Sequence, residues 1–165
     1  MRKMIKAKKP KGSWKGFRHL QSKIYGSLNG TPADLTQALT GVNVDFVAAG
    51  PTYGMIANPD DDTITVKTPG AYDVTISLTN EFINTSRVFV QYSIFINEVM
   101  ADASLFSFFK EQGEEPTASE ESKTITLNLN ANDVISVRPI VVGGPAAYYR
   151  DPTLVVKEAE VSLFS

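Results

Sequence analysis

Residues 64–78 carry the sequence ITVKTPGAYDVTISL, in which two runs of alternating apolar and polar residues flank a Pro-Gly pair. The second run is the most regular in the chain, and its apolar positions are Tyr72, Val74, Ile76 and Leu78. Alternation with a period of two places one face of a β-strand on a core and the other face in water or at an interface. Pro69-Gly70 between the runs is typical of a turn. The stretch therefore predicts two β-strands joined by a tight connection.

The same alternation continues on both sides of this stretch. Further apolar residues at every second position are Val42, Val44 and Phe46; Val88, Val90, Tyr92, Ile94 and Ile96; Ile125, Leu127 and Leu129; Ile135 and Val137; and Ala159, Val161 and Leu163. Turn-forming residues separate these runs at 58–62, 97–98, 132–133 and 143–145. About eight to ten short strands with no helical stretch between them predict an all-β fold. We expect an antiparallel jelly-roll sandwich over residues 42–165.

The N-terminal part of the chain has a different charge. Residues 1–23 hold nine lysines and arginines and no carboxylate, so the rest of the chain carries the other seven cations against all 18 acids. We therefore predict that residues 1–30 form an extended basic arm that binds something anionic: nucleic acid, an anionic membrane or an acidic protein surface. Apolar side chains in the arm favour docking over simple solvation. The residues expected to contact the partner are Arg2, Lys3, Lys6, Lys8, Lys9, Lys11, Trp14, Lys15, Phe17, Arg18, Leu20, Lys23, Ile24 and Tyr25.

Residues 31–41 separate the arm from the sandwich. Thr31 is a suitable N-cap, Pro32 suits the first helical position, and Asp34 suits the first turn. Gly41 is a helix-ending residue. These signals predict a short helix that acts as a hinge between arm and body.

Two strands are apolar on both faces. The outer face of residues 88–96 includes Phe89 and Phe95, and both faces of residues 105–109 are apolar, with Phe106 and Phe108 on one of them. A strand of this kind in a two-sheet sandwich usually buries its outer face against another subunit, although the chain's own arm or loops could also cover it. We expect Phe89, Phe95, Phe106 and Phe108 to form an oligomer interface.

The chain contains few side chains of the types that carry out catalysis or bind metal ions. The chain has no cysteine and one histidine, His19, which excludes thiolate chemistry and leaves little for histidine-based catalysis. Asp60, Asp61 and Asp62 lack the spaced ligands of a calcium loop and fit a solvated turn. We therefore expect no enzyme activity, no catalytic or metal site and no cofactor. The acidic stretch 111–121 is either a solvated connection or the receiver of a neighbouring subunit's arm.

No membrane-spanning segment is expected, and a membrane is not the predicted partner. The chain contains no apolar run of about 18 residues, and its basic beginning lacks the apolar stretch of a secretory signal.

Several motifs in the body resemble the C1q/TNF-like jelly-roll family. Residues 64–78 are similar to a characteristic hairpin of that family, and residues 88–97 to its long strand that ends in an Asn turn. The run 127–137 resembles its segment of Leu, Gly-Asp and alternating valines, with Asn132 where the family usually has Gly. Asn also tolerates left-handed backbone conformations. The closing strand falls in the family's position at 154–164 but lacks the usual Phe-x-Gly.

The resemblance implies an assembly and a class of function. Members of the family generally form trimers through a sheet rich in aromatic residues, so a homotrimer is expected. Similar jelly rolls occur in bacteriophage virions, and an acidic jelly roll with a basic arm is most like the head decoration, or cement, proteins. The implied partner is the major capsid protein, and the implied location is the outer surface of the capsid. The alternatives are a small shell protein whose arm binds the packaged genome, and a receptor-binding fibre head that uses residues 146–152.

Overall fold

The computed structural model describes residues 23–31, 33–144 and 147–160, and the strands in these ranges form two antiparallel sheets. The strands are β1 (Tyr25–Asn29), β2 (Thr36–Gln37), β3 (Ala48–Ala49), β4 (Met55–Asn58), β5 (Thr63–Val66), β6 (Gly70–Phe82), β7 (Val88–Ile96), β8 (Val99–Met100), β9 (Phe106–Lys110), β10 (Thr117–Leu129), β11 (Val134–Gly143) and β12 (Ala147–Glu158). Sheet I has the order β10-β6-β12-β1-β3, with β2 also paired to β12. Sheet II has the order β4-β5-β11-β7-β8, with β9 also paired to β7. The predicted all-β antiparallel sandwich is confirmed.

The core lies between the sheets and is built from the alternating positions. Tyr72, Val74, Ile76 and Leu78 of β6 point inward with exposures of 3% or less. They share one hydrophobic core with the inward-facing residues of β7, which include Val88 and Val90. Removing each of these side chains from water contributes about 1.5–3 kcal/mol, and this burial fixes which face of each strand looks outward.

The connection at Pro69-Gly70 differs from the expected hairpin. β5 belongs to sheet II, where it pairs with β4 and β11, whereas β6 belongs to sheet I, where it pairs with β10 and β12. The turn therefore carries the chain from one sheet to the other. Both strands were correctly predicted because each buries one face, but alternation alone does not distinguish a partner strand from a strand facing it across the core.

Residues 25–29 of the predicted basic arm, 1–30, are a strand of the body. β1 is an integral strand of sheet I, paired to β12 from Tyr25 to Asn29 and to β3 at its end. Leu28 is 0% exposed, and Gly26 lies close over Met55 of sheet II. The prediction was wrong here because residues 24–28 were grouped with the apolar residues before them. The name basic segment is used below for residues 1–22, which lie outside the described residues.

The predicted helix at 31–41 is also wrong. Thr31 Oγ1 accepts hydrogen bonds from the backbone N–H groups of Ala33 and Asp34, as a capping residue would. The chain then extends, and Thr36 and Gln37 pair with β12 as β2. A helix this short is marginal alone, and the open edge of β12 offers the backbone a ladder instead.

The turn at Asn132 follows the prediction. Its φ is 73°, in the left-handed region, and its N–H donates to Val66 O at 2.8 Å. Asparagine therefore replaces glycine at a position where the backbone requires a positive φ. The predicted closing strand ends at Glu158 as β12, and residues 161–164 lie outside the described residues.

Candidate functional site: a basic segment and an aromatic face

The basic segment joins the body at one end of β1. Lys23 forms an exposed ion pair with Glu160, with Nζ 2.8 Å from Oε1. The hydrogen bond and charge of Glu160 raise the pKa of Lys23, and Lys23 lowers the pKa of Glu160. Ile24 packs against the core, and Tyr25, which is 39% exposed, begins β1, so both residues belong to the body rather than to the arm. Their predicted contact with a partner stays a prediction.

The remaining predicted arm residues lie outside the described part of the chain. They are Arg2, Lys3, Lys6, Lys8, Lys9, Lys11, Trp14, Lys15, Phe17, Arg18 and Leu20. Their sequence alone defines a sharp charge boundary. The basic segment holds eight of the 16 lysines and arginines and none of the 18 acids, so it carries +8 and the rest of the chain −10.

The acidic stretch 111–121 divides between a loop and a strand. β10 begins at Thr117, so Glu120 and Glu121 are paired to β6 and belong to the sheet. The loop before it is tied to the β6–β7 connection, where Gly113 N donates to Thr85 O at 2.8 Å. Glu114 Oε2 accepts from Glu111 N at 3.1 Å. These contacts hold the Glu114 carboxylate against the backbone of Glu111, two residues after Phe109 of β9.

The outer face of sheet II carries an apolar strip at its β9 edge. Phe89 of β7 lies opposite Phe109 of β9, and Gln91 lies opposite both Ser107 and Val141. Phe109 is 47% exposed, and Leu105 and Val141 are 42% exposed. The aromatic face is defined here as Phe89, Leu105, Phe109 and Val141. Gln91 donates from Nε2 to Ser107 Oγ at 3.1 Å between the two ends of this face. Exposed apolar side chains grouped on one side of a sheet favour an interaction site.

A groove lies at the end of the aromatic face. Arg87, Phe89, Phe109, Gly143 and Gly144 line it, and its volume is about 460 Å³. The two rings meet edge to face with centroids 6.5 Å apart, and the Arg87 guanidinium lies 5.1 Å from the Phe109 centroid. The volume lies within the range of sites that enclose a small ligand or a large side chain.

Of the four predicted interface residues, two point outward. Phe89 lines the groove, and Phe95 lies beneath Arg138, whose guanidinium is 4.8 Å from the ring centroid. Arg138 also donates from Nε to Asn43 Oδ1 at 2.6 Å and pairs with Glu98 at 2.5 Å. Both rings are partly buried, Phe95 under Arg138 and Phe89 in the wall of the groove, and their role in an oligomer interface stays a prediction.

The other two predicted interface residues face the wrong way. Phe108 is 4% exposed inside the core, and Phe106 stacks on Tyr92 with ring centroids 5.3 Å apart. Burial raises the pKa of Tyr92, whose hydroxyl donates to Asn80 at 2.9 Å. Phe106 and Phe108 are therefore core residues, and Leu105 and Phe109 form the exposed face of the same segment. The pairing of Phe109 with Phe89 identifies that face, but a single strand's pattern does not reveal the pairing.

The segment proposed as a receptor-binding loop is largely a strand. β12 begins at Ala147, Tyr149 is 2% exposed, and Arg150 Nε lies 2.7 Å from Glu81 Oε1. Asp151 forms a bulge with a φ of 51°. Burial raises the pKa of Tyr149 to about 12, and its hydroxyl accepts the N–H of Asp45 at 2.9 Å. These side chains stabilise the body and leave no exposed aromatic loop there in the described residues.

The turn at residues 58–62 is more ordered than a solvated turn. Asn58 Nδ2 donates to Asp61 Oδ2 at 2.6 Å, and Asp62 Oδ1 accepts the N–H of Phe46 at 2.7 Å. Burial and the charges of Asp45 and Asp61 raise the pKa of Asp62 against the effect of that hydrogen bond.

Within the described ranges no group of three or more His, Cys, Asp or Glu side chains could hold a metal ion. Nor does the described part of the chain contain a helix that is long and apolar enough to cross a membrane.

Comparison with known proteins identifies the fold. No protein family model matches the chain, and no curated protein sequence matches it. Among solved structures, the globular domain of zebrafish complement 1qA protein is 16% identical, with a TM-score of 0.60 over 84% of this chain and 99% of that chain. The structure of Eiger TNF from S. frugiperda is 12% identical, with a TM-score of 0.63 over 87% of this chain and 97% of that chain. The body is therefore a C1q/TNF-like jelly roll.

Proposed function

We propose that this protein is a non-enzymatic structural component of a bacteriophage virion, a decoration protein that attaches to the outside of the capsid through its basic segment. The observation that carries the proposal is the charge boundary at residue 22, with +8 on one side and −10 on the other. The partner is the major capsid protein, whose carboxylates pair with the lysines and arginines of the segment.

The energetics of such an attachment favour several copies. Each exposed ion pair contributes about 0–1 kcal/mol, and ordering the segment costs on the order of 1 kcal/mol per residue. A single segment therefore binds weakly. A homotrimer, which the C1q/TNF-like fold of the body supports, presents three segments and raises the effective concentration of the second and third.

The body's charge favours protein over genome as the partner. A body with a charge of −10 repels phosphate, so only the basic segment would bind duplex DNA. Genome binding through lysines and arginines also weakens steeply with salt, because bound counterions are released.

The test compares the full chain with a variant that lacks residues 1–22. Both are sedimented with purified capsid shells and titrated with a nonspecific DNA duplex at several salt concentrations. We expect the full chain to sediment with the shells and the truncated chain to remain folded in the supernatant. Equal sedimentation of both chains would refute the proposal. Salt-sensitive binding to the duplex without binding to the shells would support the shell protein that binds the genome instead.

A further inference from the structure

We infer that the groove of sheet II binds the aromatic part of the basic segment, residues 14–20, from a second copy of this chain. The inference rests on the proposed role of the basic segment as a docking element, and it assigns a partner to the part of that segment that is not purely cationic. Six of the eight cations lie in residues 2–11, whereas Trp14, Phe17 and Leu20 follow them.

The shape of the groove suits a large apolar side chain. A Cβ atom at Gly143 would lie 3.7 Å from the Phe89 Cβ, which is an ordinary contact. The backbone at this position does not require glycine, and the missing side chain leaves space above the strand. Gly144 is different, since its φ is 94° and a Cβ would come within 2.3 Å of Arg87 O. Phe89 and Phe109 supply the walls of the groove. An inserted aromatic ring would gain both burial and ring–ring contacts.

The charges around the groove suit a cationic peptide. Arg87 is already stacked on Phe109. Glu111 follows Phe109 by two residues, which is the same side of an extended chain, and Glu114 Oε2 accepts from Glu111 N at 3.1 Å. In the sequence Trp-Lys-Gly-Phe-Arg-His-Leu at residues 14–20, cations alternate with aromatic residues. Apolar walls beside carboxylates match that composition, with the aromatic residues as the anchors and the ion pairs at the rim.

The geometry of the body assigns the peptide to another copy. Tyr25 pairs with Lys157 at one end of β12, whereas the groove lies near Ala147 at the other end, about 30 Å away at 3.2–3.4 Å per residue. β1 packs over β4 and β5, which lie three to four strands from β9 in sheet II. At the spacing of neighbouring strands, this offset adds a distance of about 15–19 Å perpendicular to the strands. The separation is thus about 35 Å. The six residues from Lys23 to Phe17, at the centre of the peptide, span at most about 22 Å when fully extended, well short of that separation.

Disulfide trapping tests the contact directly, because the chain has no cysteine of its own. One full-length variant carries Ser13→Cys beside Trp14, and another carries Ser107→Cys on the exposed side of β9. A matched control carries Ser122→Cys, an exposed position on the outer face of sheet I. Val141→Cys is a second reporter on the aromatic face, in case Ser107→Cys fails to fold. Each pair of variants is mixed under mild oxidation, and disulfide formation is followed by mass spectrometry.

We expect the Ser13→Cys chain to cross-link to the Ser107→Cys or Val141→Cys chain at least fivefold faster than to the Ser122→Cys chain. Adding Gly143→Val, which fills the groove, should reduce the rate to that of the control without lowering Tm. Equal rates for the three positions would overturn the inference. So would a dominant disulfide between two Ser107→Cys chains, which would place a second copy's aromatic face there instead.

The same Gly143→Val substitution separates this inference from the proposed function. It leaves all six cations of residues 2–11 unchanged, so binding to capsid shells should persist when the cross-link is lost. A wild-type chain that forms the cross-link but does not bind shells would refute the capsid proposal alone.

Discussion

Replacing Leu28 with alanine tests where the body begins. Leu28 is fully buried in β1, facing the other sheet, and the substitution removes three carbon atoms from a closely packed site. At about 0.8 kcal/mol per methylene the loss of burial costs about 2.4 kcal/mol, and the cavity left behind adds to it. We expect the free energy of unfolding to fall by about 3–5 kcal/mol and Tm to fall by roughly 6–20 °C.

The assay is urea unfolding followed by far-UV circular dichroism, which reports directly on the two β-sheets of the body. All variants are compared at one protein concentration, since association would shift apparent stability. Leu35→Ala is the matched control, because Leu35 is 46% exposed and should change stability by no more than about 0.5 kcal/mol. A loss below about 1 kcal/mol for Leu28→Ala would show that β1 is not an integral strand.

Substitutions at three further positions test the turns and the core. Asp62→Asn keeps an oxygen that can accept the Phe46 N–H but removes the ionisable carboxyl group. Folding raises the pKa of that carboxyl, so its ionisation lowers the free energy of unfolding as pH rises through the folded pKa. Thermal scans at pH 7 should therefore show a slightly more stable variant, by less than about 1 kcal/mol, with the difference vanishing below the unfolded pKa; a less stable variant at pH 7 would contradict this. Asn132→Gly should preserve Tm and Asn132→Val should cost about 1–2 kcal/mol, because φ is 73° there; equal urea midpoints would argue against the left-handed turn. Lys110 is 1% exposed, and its Nζ donates to Ser86 O at 3.3 Å. Because burying an ammonium group is costly, Lys110→Met should leave the free energy of unfolding from urea titration unchanged or raise it. A fall of more than about 1 kcal/mol in that free energy would show that the ammonium stabilises the core.

Local alternation was sufficient to predict most of the strands of this fold. The pattern from Tyr72 to Leu78 specifies β6 and its buried face, and Asn132 specifies a positive φ. Which strands pair is a tertiary property, so the passage of Pro69-Gly70 between sheets could not be deduced from either strand alone.

The errors in the candidate site have the same physical origin. Phe108 and Phe109 are adjacent and equally apolar, and the structure buries one and exposes the other according to the register of β9 with β7. β1 was missed because Gly26, Ser27 and Asn29 contribute little apolar signal and Leu28 alone carries its burial. In both cases packing against another strand, rather than local sequence, decides the outcome.

Attachment of the full chain to purified capsid shells, before and after the cations of residues 2–11 are neutralised, measures most directly whether charge in the basic segment holds the protein in place. The variant replaces Arg2, Lys3, Lys6, Lys8, Lys9 and Lys11 with glutamine and leaves the body unchanged. At about 0.5 kcal/mol for each exposed pair, six substitutions should weaken shell binding roughly 100-fold per chain. Binding within twofold of the wild-type chain would contradict an attachment through these cations.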